Sequence, residues 1–103
     1  MKTAYNKLIR DKIPEIIKSN GNECTVEILD DRQYLNKLDE KLNEELAEYQ
    51  KDKSIEELAD LLEVIYAVTA ARGYTIEKLE SVRLKKRAER GGFENKILLK
   101  DIF

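Results

Sequence analysis

Histidine is absent from the 103-residue chain, and there is only one cysteine and one proline. Without histidine, His-containing zinc sites, Ser-His and Cys-His catalysis and the Glu-x-x-His pairs of di-iron bundles are all excluded. Any metal must be held by oxygen. Cys24 has no second cysteine to pair with; it suits a reducing compartment and reads as a small buried side chain. No apolar run approaches the roughly 18 residues needed to span a bilayer, and no signal-peptide core opens the chain. A cytoplasmic protein with no membrane segment is the expectation. Charge, by contrast, is plentiful. Charged residues make up 39% of the chain for a net charge of -2, so acids and bases must be sorted into patches rather than spread as one field. The length allows one domain, 1–103, with a modest core.

The apolar periodicity predicts a mainly α fold, an antiparallel helical bundle of about four helices with short extended segments. Residues 1–10 read as an extended arm that packs. Asp11 is the expected N-cap of a first helix running to about Ser19, with Pro14 in its first turn and Gly21 just past its end. Cys24 to Leu29 alternates as a half-buried strand does and stops at the helix-starting pair Asp30-Asp31. A second helix, about Arg32 to Gln50, puts Leu35, Leu38, Leu42, Leu46 and Tyr49 on one stripe. After a break at about Gln50 to Ser54, the segment Ser54-Ile-Glu-Glu57 opens a third helix as a capping box. From Leu58 to Ala71 its only charges are Asp60 and Glu63. One face carries Ile55, Leu58, Leu62, Ile65 and Thr69; the other carries Glu57, Asp60, Val64, Ala67, Val68 and Ala71. So apolar a helix needs cover all round, and part of the second face is expected to pack on another subunit. Gly73 stops this helix, and Thr75 caps a fourth that runs to about Arg90. Its stripe begins with Ile76, Leu79 and Val82 and continues as Arg83, Lys86 and Arg90. A last extended segment, with Lys96-Ile-Leu-Leu-Lys100, is a candidate partner for the first strand.

Residues 45 to 60 hold the sharpest chemical signal. Folding the second and third helices into a hairpin sets positions with a common number sum at one height, so Glu45 faces Asp60 and Glu48 faces Glu57. Within each helix the two acids sit three apart, about 4.5 Å in rise and on one side. Four carboxylates in so small a volume repel one another unless a cation holds them. Each also has a plainer explanation: Glu48 as a solvated flank residue, Glu57 as the capping-box acid. Glu45 and Asp60 interrupt apolar surfaces and are harder to explain without a partner. Carboxylates and water suit Mg²⁺, with Mn²⁺ as the alternative, and Mg²⁺ commonly completes its shell with substrate phosphate. Two cationic groups fit a phosphate: Lys7, Arg10 and Lys12 near the start, and Arg83, Lys86 and Arg90 on the fourth helix. A non-catalytic bundle that binds nucleic acid through that helix, or a regulatory one, is the competing reading. Four bare acids repel phosphate and weigh against the nucleic-acid version.

The segments Glu44-Glu45-Leu-Ala-Glu48 and Glu57-Leu-Ala-Asp60-Leu-Leu62 resemble the Glu-x-x-Glu and Glu-x-x-Asp signature of the MazG-like, all-alpha nucleoside triphosphate pyrophosphohydrolases, which include the phosphoribosyl-ATP pyrophosphohydrolases. Tyr5-Asn-Lys-Leu-Ile-Arg-Asp-Lys-Ile-Pro-Glu-Ile-Ile17 and Lys86-Arg-Ala-Glu-Arg-Gly-Gly-Phe93 resemble the start and end of a small branch labelled phosphoribosyl-ATP-pyrophosphohydrolase-like. The resemblance implies Mg²⁺-dependent cleavage of a nucleoside triphosphate between the α and β phosphates, giving a monophosphate and pyrophosphate. It makes Glu45, Glu48, Glu57 and Asp60 the metal ligands, or one of them a base that orients water. It also implies a homo-oligomer, dimer or tetramer. No histidine or asparagine follows Asp60 within two helical turns, where better-known branches place substrate-contacting groups, so no base or sugar preference carries over.

Overall fold

The computed structural model describes residues 5–103 and contains four helices: α1 Ile13–Ser19, α2 Asp31–Asp52, α3 Ile55–Ala71 and α4 Ile76–Arg90. The fold is mainly α, as the periodicity predicts. Each long helix starts on a polar side chain that accepts a hydrogen bond from the N–H three residues on, satisfying an otherwise orphaned donor. Asp30 accepts from Gln33, Ser54 from Glu57 and Thr75 from Lys78. At Asp30 the Gln33 side chain also accepts from the cap's own N–H, closing a capping box.

The helix ends are equally local in origin. Gly21 and Gly73 both take positive φ, and each sits at the heart of a Schellman turn. At the second, Gly73 N–H reaches Ala70 O and Tyr74 N–H reaches Thr69 O, each at 3.0 Å. The α2–α3 connection is tighter than the sequence suggests. Helix α2 continues to Asp52, and Lys53 alone turns the chain in a left-handed conformation (φ 57°), its ammonium over the Tyr49 ring. A non-glycine residue there costs about 1–2 kcal/mol, and the cation–ring contact returns part of it.

Helix α2 packs along α3 as the central antiparallel hairpin, with Leu38 and Val64 buried in the seam. Thr69 is also buried; its hydroxyl donates to Ile65 O at 2.8 Å, so no polar atom is stranded. Helix α4 touches only α3, and lightly, while α1 packs on no other helix. The result is elongated, 61 × 31 × 24 Å. Its radius of gyration is 18.1 Å, against about 13 Å for a compact chain of this length.

Several expectations are corrected. Residues 24–29 form no strand and the last extended segment does not pair with them, because among the described residues neither makes the backbone ladder that a strand requires. Cys24 is half-buried rather than buried. Lys12, not Asp11, is the N-cap of α1, and it makes no side-chain cap. The predicted second face of α3, bearing Val64, is the one α2 covers. The uncovered surface lies on the N-terminal part of the first face, where Ile55, Leu58 and Leu62 are exposed, while Thr69 at its C-terminal end is buried. Of the N-terminal arm, residues 1–4 lie outside the described region. Residues 5–10 are irregular but tied down: Lys37 donates to Asn6 O, Lys7 pairs with Glu44, and Arg10 pairs with Asp60. Among the described residues no helix is long and apolar enough to cross a membrane.

Candidate metal centre

The hairpin places Glu45 and Glu48 on α2 beside Glu57 and Asp60 on α3. Carboxylate oxygens of Glu45, Glu57 and Asp60 lie within 4.8 Å of one another, and so do those of Glu48, Asp52 and Glu57. Both cross-helix pairings expected from the numbering are therefore met. Glu57 belongs to both groups and is the hinge of the cluster. Its N–H is taken by Ser54, but its own side chain does not return the bond that would complete a capping box, so the carboxylate is left for the cluster.

The electrostatics differ between the two ends of the cluster. Glu45 is paired with Lys41 at 3.4 Å and Asp60 with Arg10 at 2.8 Å. Among the described residues, no ion pair reaches Glu48, Asp52 or Glu57. Partial burial, then the carboxylates of Asp60, Asp52, Glu48 and Glu45, push the Glu57 carboxyl above its ordinary range. A negative charge on Glu57 is thus opposed by the four neighbouring carboxylates, and an added cation relieves that opposition. The donor set is all oxygen and fits a hard divalent ion such as Mg²⁺ or Mn²⁺.

The two cationic groups part company. Lys7 and Arg10 reach the hairpin acids directly, at Glu44 and Asp60, while Lys12 caps α1 and is exposed. On α4, Arg83 is occupied by Glu80, and Lys86 and Arg90 are exposed with no ion pair among the described residues. Because α4 packs on α3 alone and only lightly, its cationic stripe is not brought against the acids within one chain. Two members of the site escape the sequence reading. Asp52 falls within the expected break at about Gln50 to Ser54, although its place four residues after Glu48 is a helix-neighbour signal. Lys41, four residues before Glu45, carries the same signal.

No family model matches the chain, and no solved structure does. The chain is similar to an uncharacterized protein of Mycolicibacterium smegmatis, 45% identical over 42 residues. The match spans 41% of this chain and 43% of the relative, so it covers less than half of either.

Proposed function

We propose that the protein is a Mg²⁺-dependent nucleoside triphosphate pyrophosphohydrolase, with Mn²⁺ as an alternative ion, acting in the cytoplasm on the nucleotide pool. The observation that carries this reading is the convergence of Glu45, Glu57 and Asp60 with the Arg10 guanidinium at their edge. The resemblance of both signature segments and both flanks to the MazG-like family supplies the reaction class. Glu45, Glu48, Glu57 and Asp60 hold the ion, and Asp52 joins at the Glu48 side. Bound there, the ion supplies Lewis-acid neutralisation of phosphate oxygens and lowers the pKa of water. In place of ligating the ion, one of these four carboxylates orients the attacking water and accepts its proton. Arg10 and Lys7, released from Asp60 and Glu44, bind the pyrophosphate end of the substrate, and a guanidinium grips phosphate in bidentate fashion.

The test is pyrophosphate release from a nucleotide panel, together with calorimetric titration of Mg²⁺ or Mn²⁺. Glu45→Gln and Asp60→Asn should each lower turnover by about 100-fold or more and weaken the ion. Full activity in both variants rejects the site.

The reading extends to a dimer or tetramer, joined through the exposed Ile55, Leu58 and Leu62 stripe. Light scattering at micromolar concentration should give a multiple of the chain mass; a monomer removes this part. The second reading, a helical module that binds nucleic acid, rests on the exposed, unpaired Lys86 and Arg90 of α4. Salt-dependent binding to DNA or RNA without any metal site favours it.

A further inference from the structure

Two segments of the chain alternate as strands do yet form no ladder among the described residues. Residues 24–29 put Cys24, Val26 and Ile28 on one side, and residues 97–101 put Ile97, Leu99 and Asp101 on one side and Leu98 and Lys100 on the other. Val26 and Ile28 are exposed, Ile28 at 93%. In the tail Ile97, Leu98, Leu99, Ile102 and Phe103 are all at least 70% exposed. Among the described residues, no backbone hydrogen bond involves residues 24–29 or 97–101, so each segment presents donors and acceptors to a partner. Arg87 pairs with Glu94 at 2.6 Å and Lys96 N–H closes a turn on Phe93 O, so the tail is anchored up to residue 96 and free beyond it.

The two patterns complement each other. Run antiparallel with Val26 opposite Leu99, Ile28 falls opposite Ile97 and Cys24 opposite Asp101. On the reverse side Glu27 then lies between Lys96 and Lys100, within diagonal reach of both. On one side Val26 and Ile28 meet Leu99 and Ile97 beside a Cys24–Asp101 pair; on the other Glu27 faces Leu98 with a lysine on each diagonal.

We propose that residues 24–29 of one copy of the chain receive residues 97–101 of a second copy as an antiparallel strand, and that two copies exchange these arms reciprocally. The partner is another copy because the complementary segment is carried by this chain and is left unpaired in it. Burying a Leu or Ile side chain removes about 60–120 Å² of apolar surface. Three per arm, Ile97, Leu98 and Leu99, with the receiving surfaces and both arms counted, cover on the order of 720–1,440 Å², which reaches the lower end of the range of a stable interface. Such exchange is a low-cost route to a dimer, and adding a strand from a partner is a recurrent mode of recognition.

The single native cysteine makes a direct test. Asp101 is exposed and its replacement leaves the helices untouched. Asp101→Cys, oxidised with diamide at low micromolar concentration, should join Cys24 of one copy to the new thiol of the other. The product is a covalent dimer at twice the 12.0 kDa chain mass. It should vanish in Cys24→Ser/Asp101→Cys. Adding Leu99→Asp to Asp101→Cys should cut the yield about tenfold, since a charge replaces a buried contact. An intrachain disulfide in a monomer, a dimer that persists without Cys24, or no cross-link at all overturns the proposal. The inference is independent of the hydrolytic reading, because pyrophosphate release from the reduced protein reports on the acids and not on the arms.

Discussion

Leu38 on α2 and Val64 on α3 are 2% and 8% exposed, whereas every residue from Ser81 to Phe103 lies open. Both regions contain regular helix with sound caps, so local propensity is not what separates them. The difference is a partner. Helix α2 offers a leucine stripe and α3 is apolar almost all round, and their short connection holds them together at little cost in loop closure. Helix α4 begins its stripe with Ile76 and Leu79, half-buried, and then turns cationic at Arg83, where nothing in the chain gains by covering it. Capped helices thus form throughout, but only the hairpin builds an interior, and only there do charged groups crowd.

The largest effect expected from this contrast is on packing. Leu38→Ala deletes the one large side chain that is fully buried among the described residues and should cost about 2–5 kcal/mol. At about 4–8 °C per kcal/mol for a domain near this size, the melting temperature falls by about 8–40 °C. Leu84→Ala, half-exposed on α4, should stay within about 0.5 kcal/mol of the parent. Thermal denaturation of the two variants reads the ratio. A large loss at Leu84 would mean that α4 is covered in solution by another copy, and would sharpen the comparison into one between a chain and its assembly.

The same contrast explains what the sequence reveals. The hairpin is legible because its determinants are near in sequence: a stripe at helical spacing, a cap at Ser54, and four acids whose numbering alone sets them opposite. Asp52 is missed because the helix end lies two residues beyond Gln50, set by the left-handed turn at Lys53, which no propensity signals. The strand at 24–29 and its pairing with the segment at 96–100 are misread for a different reason. Alternation is a local property, but a strand exists only when a partner some 70 residues away arrives, and within one chain it does not. The stripe Arg83, Lys86, Arg90 follows the apolar side of α4 by angle, yet solvating a cation is cheaper than burying it, so the helix leaves those residues outside.

The smallest expected effect separates the regions by the sign of their proton linkage. The Glu57 carboxyl in the hairpin is pushed up by partial burial and its acidic neighbours. Glu80 on α4 and Glu94 in the tail are held down by hydrogen bonds from Arg83 and Arg87. For Glu57 the native state binds its proton more tightly than the unfolded chain does. Stability from this group therefore falls as pH rises through the window between the ordinary value and the raised one. Glu80 and Glu94 act oppositely: their contribution is present above the unfolded value and is lost as pH falls through the lowered ones. Glu57→Gln should accordingly be more stable than the parent at neutral pH, with the advantage shrinking on acidification. Glu80→Gln should be less stable at neutral pH, with its deficit shrinking in the same direction. Saturating Mg²⁺ or Mn²⁺ should raise the parent melting temperature and erase the advantage of Glu57→Gln, because an ion bound only by the native state adds stability through mass action. Melting curves at several pH values, with the ion and with chelator, check each arm. Equal pH slopes for the two variants would mean that the hairpin acids are no more crowded than the surface pairs of α4, and the cluster would then lose its claim on a cation.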